Sequence, residues 1–174
     1  GNHDEQTYYS IDWMTGLLNK MSTSGKNHCY FKDIQDDKVF GNSNFVINLM
    51  ENNKVHTQIG ILDSNRYNFG EYLGYDYIKQ SQIDWFSSVA DKTKSMTSDG
   101  NYATSLWFFH IPVPEFKYAW DSWEASGHKN TEDVKYLGGD AGEGNSVPDI
   151  NSGFFDVAKE KGVKGMFCAH DHLN

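Results

Sequence analysis

Apolar residues recur at Ile11, Met14, Leu18 and Met21, with Trp13 and Leu17 beside them, and stop at the polar stretch from Ser22 to Gly25. This 3.6-residue stripe predicts an amphipathic helix. Such a helix would hold Asn2 and His3 at its electropositive N-terminal end. His28 to Ile34 reads as a short strand. Phe45 to Met50 and Thr57 to Leu62 are β-like runs around the turn-prone Glu51-Asn52-Asn53-Lys54, which predicts a hairpin. Asp63-Ser64-Asn65 ends the second run. The Tyr- and Gly-rich stretch from Tyr67 to Tyr77 reads as a loop whose aromatics either pack together or wall a cleft.

Ser81-Gln82-Ile83-Asp84 has capping-box spacing, with Asp in place of the usual Glu. Behind it Trp85, Phe86, Val89 and Ala90 predict a helix to about Met96. Ser105 to Phe109 is a continuous apolar run, as expected of a strand covered on both faces. His110-Ile111-Pro112-Val113-Pro114 stops it. From Trp120 to Asn151 the chain is polar and Gly-rich, a long loop expected near a site. Its Gly138-Gly139-Asp140-Ala141-Gly142-Glu143-Gly144 lacks Gly-x-Gly-x-x-Gly spacing and a preceding strand, which excludes a nucleotide-binding loop. Ser152 is expected to cap a short helix through Phe154, Phe155 and Ala158, closed by Gly162. A strand from Val163 to Ala169 follows.

Helix 81–96, strand 105–109, helix 152–161 and strand 163–169 alternate, which is an α/β pattern. The hairpin of the first half suggests a second sheet packed against this unit. No internal repeat or domain boundary is visible, and residues 1–174 read as one domain.

Composition narrows the partners. The chain has 174 residues, 38% of them hydrophobic and 15% aromatic, as in a globular protein with a real core. Its formal charge of −9 disfavours non-specific binding to nucleic acid or anionic membrane, which needs clustered cations. No apolar run approaches the ~20 residues that span a bilayer. Cys29 and Cys168 do not make a disulfide framework. No Asn-x-Ser/Thr sequon occurs, which leans against a heavily glycosylated secreted protein. The chain opens without an initiating Met, in what reads as the middle of a motif, so an upstream segment is expected. The compartment stays open, secreted and endomembrane locations included.

The candidate chemistry lies in the histidines. His170 and His172 follow the apolar run of the last strand, and residues i and i+2 of an extended chain point the same way. His110 ends the run Leu106 to Phe109, and Gly1-Asn2-His3-Asp4 opens the chain. Imidazole and amide groups just beyond the carboxyl ends of strands, where α/β sheets keep their sites, read as a metal centre. His28, His56 and His128 are read as structural or exposed. Glu115 and Asn65 are not expected to touch substrate.

Gly1-Asn2-His3-Asp4, then His110 with Pro112, then His170-Asp171-His172 resemble motifs three, four and five of the calcineurin-like metallophosphoesterases. The match spans nearly the whole chain. Gly41-Asn42-Ser43-Asn44-Phe45, Leu62-Asp63-Ser64, Gln82 to Phe86, Phe109 to Glu115 and Asn151 to Phe155 resemble the branch related to the purple acid phosphatases of plants and fungi. The resemblance implies an α/β fold, a four-layer α/β/β/α sandwich incomplete at its N-terminus. It implies two divalent or trivalent metal ions (Fe, Mn or Zn), with Asn2, His110 and His170 on one and His172 on the other. It also implies that His3, oriented by Asp4, protonates the leaving oxygen. Ala169 departs from the family's usual Gly. The Asp-x-His and Gly-Asp of motifs one and two do not occur where the family has them, ahead of motif three.

The implied activity is hydrolysis of a phosphoester, expected to be a monoester of a phosphorylated small molecule or phosphoprotein. A phosphodiesterase or nucleotidase on the same scaffold, or a non-catalytic phosphoesterase-like binding protein, are the alternatives.

Overall fold

The structure is a computed structural model that describes residues 1–4, 6–24, 29–32, 38–68, 74–139 and 142–172. The element order is helix α1 (Ile11–Thr23), strands β1 (Phe45–Glu51), β2 (Lys54–Ile61), β3 (Tyr67–Asn68) and β4 (Gly74–Tyr75), helix α2 (Gln80–Lys94), strand β5 (Thr104–Phe108), helices α3 (Pro114–Ala125) and α4 (Phe154–Glu160), and strand β6 (Val163–Phe167). This is an α/β fold with a mixed sheet, consistent with a partial calcineurin-like sandwich. No described helix is long and apolar enough to cross a membrane.

The hairpin does not found a second sheet. β1 and β2 pair antiparallel, and β2 continues into a four-stranded sheet of order β1-β2-β5-β6. Asn52 and Asn53 carry the turn at φ 49° and 61°, the left-handed pair that suits a tight hairpin and that Asn tolerates. β2 pairs parallel with β5 across α2, and β5 pairs parallel with β6. A parallel pair needs a crossover long enough to hold a helix, and α2 supplies it. The register puts Ile61 beside Phe108 and Phe108 beside Phe167, so three parallel strands end level.

One face of the sheet is dry. Trp107, Phe86 and Phe154 are fully buried where α2 and α4 lie on β5. The Phe86 ring meets Trp107 edge-on at 4.8 Å and Phe154 at 5.4 Å, the arrangement aromatic quadrupoles favour. Gly60 leaves room for this: a Cβ there would sit 2.4 Å from the Trp107 ring. The opposite face is open among the described residues, with Phe108 and Phe167 stacked at 4.8 Å and partly exposed. The expectation that strand 105–109 is covered on both faces is therefore met on one face only.

Other local expectations shift. Ser81 does not cap α2; its hydroxyl accepts from the Phe40 N–H. The helix starts at Gln80, and Gln82 reaches back to the Lys79 N–H at 2.9 Å, the reciprocal half of a capping box. α4 is preceded by Gly153 at φ 76° rather than capped by Ser152. α1 begins at Ile11, capped by Ser10, so Asn2 and His3 lie in a separate turn and not at the helix terminus. Its apolar stripe is only partly covered: Ile11, Met14 and Met21 are half-buried, while Trp13, Leu17 and Leu18 lie on the surface. α3 falls partly in the stretch read as loop; Pro114 at its first turn and the spacing of Phe116, Ala119, Trp120 and Trp123 are helical signals. Residues 29–32 carry no strand. The rest of 28–34 apart from these, the tip of the Tyr-rich loop (69–73), Asp140, Ala141, Leu173 and Asn174 lie outside the described residues.

Candidate metal centre

Three loops leave the level carboxyl ends of β2, β5 and β6, and the sheet's hydrogen bonds carry on into them. Leu62 N–H donates to Phe108 C=O at 3.0 Å, Phe109 N–H to Phe167 C=O at 3.1 Å, and Ala169 N–H to His110 C=O at 3.2 Å. The loop after β2 is bolted from behind. The buried Gln82 donates to Asn44 Oδ1 at 2.8 Å and to the Asp63 C=O at 2.7 Å. That fixes Ser64, also buried, whose Oγ accepts from the N–H groups of His110 (3.1 Å) and Ile111 (2.8 Å). A helix residue thus sets the loop that sets His110.

The structure brings Asn2, His110 and His170 together. Asn2 is buried at 2% exposure, and its Oδ1 accepts from His110 Nε2 at 2.8 Å and from His170 Nδ1 at 3.2 Å. The two imidazole centroids are 5.2 Å apart. Gly1 permits the approach: a Cβ there would lie 2.8 Å from the His110 ring. A cavity of about 320 Å³ opens beside the cluster, lined among others by Gly1, Asp4, Asn42, Ser64, Arg66 and His110.

His170 and His172 diverge. Regular strand structure ends at Phe167, and His170 has φ 82°, so the alternation of an extended chain no longer governs their rings. The His170 ring is buried against Asn2. His172 is exposed, its backbone N–H held by Glu143 and its ring centroid 6.1 Å from that of His3. Asp171 accepts from the Ser146 N–H at 3.0 Å. The long polar loop therefore reaches the candidate site through Glu143 and Ser146. Asp4 lies against the Gly1 nitrogen at the start of this turn.

Burial pushes the His110 pKa down to about 4. Burial likewise lowers His170, against the pull of Asp171. Both rings are thus neutral at pH 7, the form that offers a lone pair to a cation.

Among the described residues no group of three His, Cys, Asp or Glu is placed to hold a metal ion; the cluster here is two imidazoles and an amide. Its spacing still suits one. Neighbouring ligands around an octahedral ion at ~2.1 Å lie about 3 Å apart, close to the two observed separations. His170 Nε2 is buried with no hydrogen-bond partner among the described residues, so there the ring owes its placement to Nδ1 and to packing. Two residues that pattern reading left aside also touch the cluster. Tyr67 OH accepts from Asn2 Nδ2 at 3.2 Å, and the Tyr75 ring meets His170 edge-to-face at 4.3 Å. Their signal was the tyrosine content of the 67–77 loop.

Fold and site together define an α/β protein whose polar cluster sits beyond the carboxyl ends of parallel strands. Comparison with known proteins gives the family. The chain is 31% identical, over its whole length, to a protein of Arabidopsis thaliana named probable inactive purple acid phosphatase 29, covering 44% of that protein. It is 32% identical to phosphatase DCR2 of Saccharomyces cerevisiae, covering 29% of it. It is 29% identical to probable inactive purple acid phosphatase 14 of Arabidopsis thaliana, again covering 44%. The chain therefore spans less than half the length of these relatives. No family model and no solved structure matches it. These relatives, matched over the whole chain at about 30% identity, support a metallophosphoesterase family related to the purple acid phosphatases.

Proposed function

We propose that the chain carries part of the active site of a dimetal phosphoester hydrolase, acting on a phosphomonoester. One observation carries this reading: the Asn2 oxygen lies within 3.2 Å of a nitrogen from each of two neutral imidazoles, His170 buried and His110 half-buried. Asn2 Oδ1, His110 Nε2 and His170 Nδ1 would hold one metal ion, and His172 would join the other. Bound there, a metal pair supplies Lewis-acid charge to a phosphoryl oxygen and an activated water. His3 is exposed beside His172, where it can reach a leaving oxygen and give it a proton. Asp4 would steady that end of the turn. The metal pair is Fe, Mn or Zn; nitrogen and oxygen donors accept each of them.

The test is phosphate release from an aryl phosphate with added Mn, Fe or Zn. It compares the chain with a longer form whose upstream segment supplies Asp-x-His and Gly-Asp. The longer form should turn over and the chain by itself should be nearly inactive, because Asn2, His110, His170 and His172 are four of the family's seven ligand positions. Equal turnover would overturn the mechanism. In the longer form His3→Ala should lower kcat by ~10²–10⁴-fold and keep its metal, whereas His170→Ala should lose metal. Equal metal loss in both would reverse the division of roles.

The names of two relatives favour a second reading, a non-catalytic phosphoesterase-like protein. A longer form that binds metal stoichiometrically and releases no phosphate from mono- or diesters would establish it. Hydrolysis of diesters or nucleotides in preference to the aryl phosphate would make the protein a phosphodiesterase or nucleotidase.

A further inference from the structure

We propose that the β3–β4 hairpin is a positioning device for the cluster, in which Tyr67 fixes the Asn2 carboxamide and Tyr75 fixes the His170 ring. This rests on reading Asn2, His110 and His170 as metal ligands. Tyr67 and Tyr75 are directly paired across the two short strands, and their rings stack at 5.6 Å with an interplanar angle of 26°. One cross-strand pair therefore presents a hydroxyl and a ring to two different ligands.

Each contact falls where the ligand lacks other restraint. The Asn2 carboxamide can swing about its side-chain torsion, and its Nδ2 donates to Tyr67 OH while its Oδ1 faces both imidazoles. An amide held by its N–H presents its oxygen in one direction and is polarised toward a stronger donor. His170 sits on left-handed backbone, and its Nε2 finds no hydrogen-bond partner among the described residues. A ligating imidazole is ordinarily oriented by a hydrogen bond from its second nitrogen. Here the Tyr75 ring, at 84° to the imidazole and 4.3 Å away, fills that place by packing. Cost and benefit separate cleanly: the pair adds little core, so its effect should appear in metal affinity rather than in stability.

The experiment titrates Zn²⁺ into the metal-free protein by calorimetry and records Tm for the wild type, Asn2→Ala, Tyr67→Phe, Tyr75→Leu and the double variant Asn2→Ala/Tyr67→Phe. Tyr67→Phe removes one oxygen and keeps the stack. It should weaken Zn²⁺ binding about 10–100-fold with Tm unchanged, as loss of a partner to a metal ligand does. Tyr75→Leu should also weaken binding. The double variant should bind no more weakly than Asn2→Ala, because no carboxamide remains to be held. Wild-type affinity in Tyr67→Phe, with affinity lost in Asn2→Ala, would overturn the positioning role and leave the ligand assignment standing. Unchanged affinity in Asn2→Ala would overturn the ligand assignment itself. An equal loss from Tyr67→Phe in both backgrounds, with a lowered Tm, would make Tyr67 a merely structural residue and overturn the proposal. If Tyr75→Leu fails to fold, Tyr67→Phe still decides.

Discussion

The two ends of strand β5 are built on opposite terms. Along its body Trp107 is fully buried between α2 and α4, its indole N–H bonded to Ser105 Oγ at 3.2 Å and its face set against Gly60. Just past its carboxyl end, His110 meets Asn2 and a His170 that combines a left-handed backbone with a buried nitrogen that has no partner among the described residues. The first region places apolar surface where geometry is ideal. The second tolerates strain and desolvation, the marks of a site whose geometry serves something other than stability. Both depend on the same ladder, because the hydrogen bonds that order the core run on through Phe109 and Ala169 into the site. A rigid core sets the loops, and the loops carry the chemistry.

Mutations should separate the two regions by size of effect. Trp107→Ala removes the largest fully buried side chain and should cost about 3–5 kcal/mol in denaturant unfolding. Gly60→Ala places a methyl group into the Trp107 ring and should cost about 1–3 kcal/mol, with Trp107→Leu partly rescuing it. His170→Gly should change the stability of the metal-free chain by less than about 1 kcal/mol. Relief of the φ 82° backbone and of the orphaned nitrogen offsets the lost packing on Tyr75. A loss as large as that of Trp107→Ala would erase the contrast between the two regions.

A further effect, visible only at alkaline pH, lies between them at Cys168. Burial raises its thiol pKa from 9.0 to about 12, with a minor push from Asp171. Above about pH 9 the unfolded chain releases this proton and the folded chain does not, so the unfolded state binds fewer protons. Its contribution to stability is therefore full below pH 9 and declines as pH rises toward 12. Cys168→Ala should flatten the alkaline limb of a stability-versus-pH curve. An unchanged limb would place the thiol in water.

Much of this was legible in the pattern of residues. The hairpin was visible because Asn52 and Asn53 are turn residues flanked by apolar runs, and the two α/β strands because β-rich runs stop at His110 and His170. Helix α3 was legible too, since Phe116, Ala119, Trp120 and Trp123 keep helical spacing, although the polar stretch after it masks where it ends. Ser81 was a plausible cap by type, but Gln82, two positions inside the helix and fully buried, took the reciprocal bond. Local motifs propose such caps; the direction of the incoming chain selects among them.

The sequence by itself determined the residue types of the cluster and the strand ends from which His110 and His170 emerge. Periodicity and turn chemistry are local, and the strands that deliver the histidines are set by them. Only the tertiary structure decided that β1 and β2 join the same sheet as β5 and β6, because a strand's neighbour is chosen by long-range pairing and not by its own pattern. It alone decided that His170 turns inward to Asn2 while His172 turns out toward His3, since a single left-handed residue cancels the two-residue alternation. It alone brought Tyr67 and Tyr75 onto the cluster, because a contact between residues 2 and 67 depends on the path of everything between them.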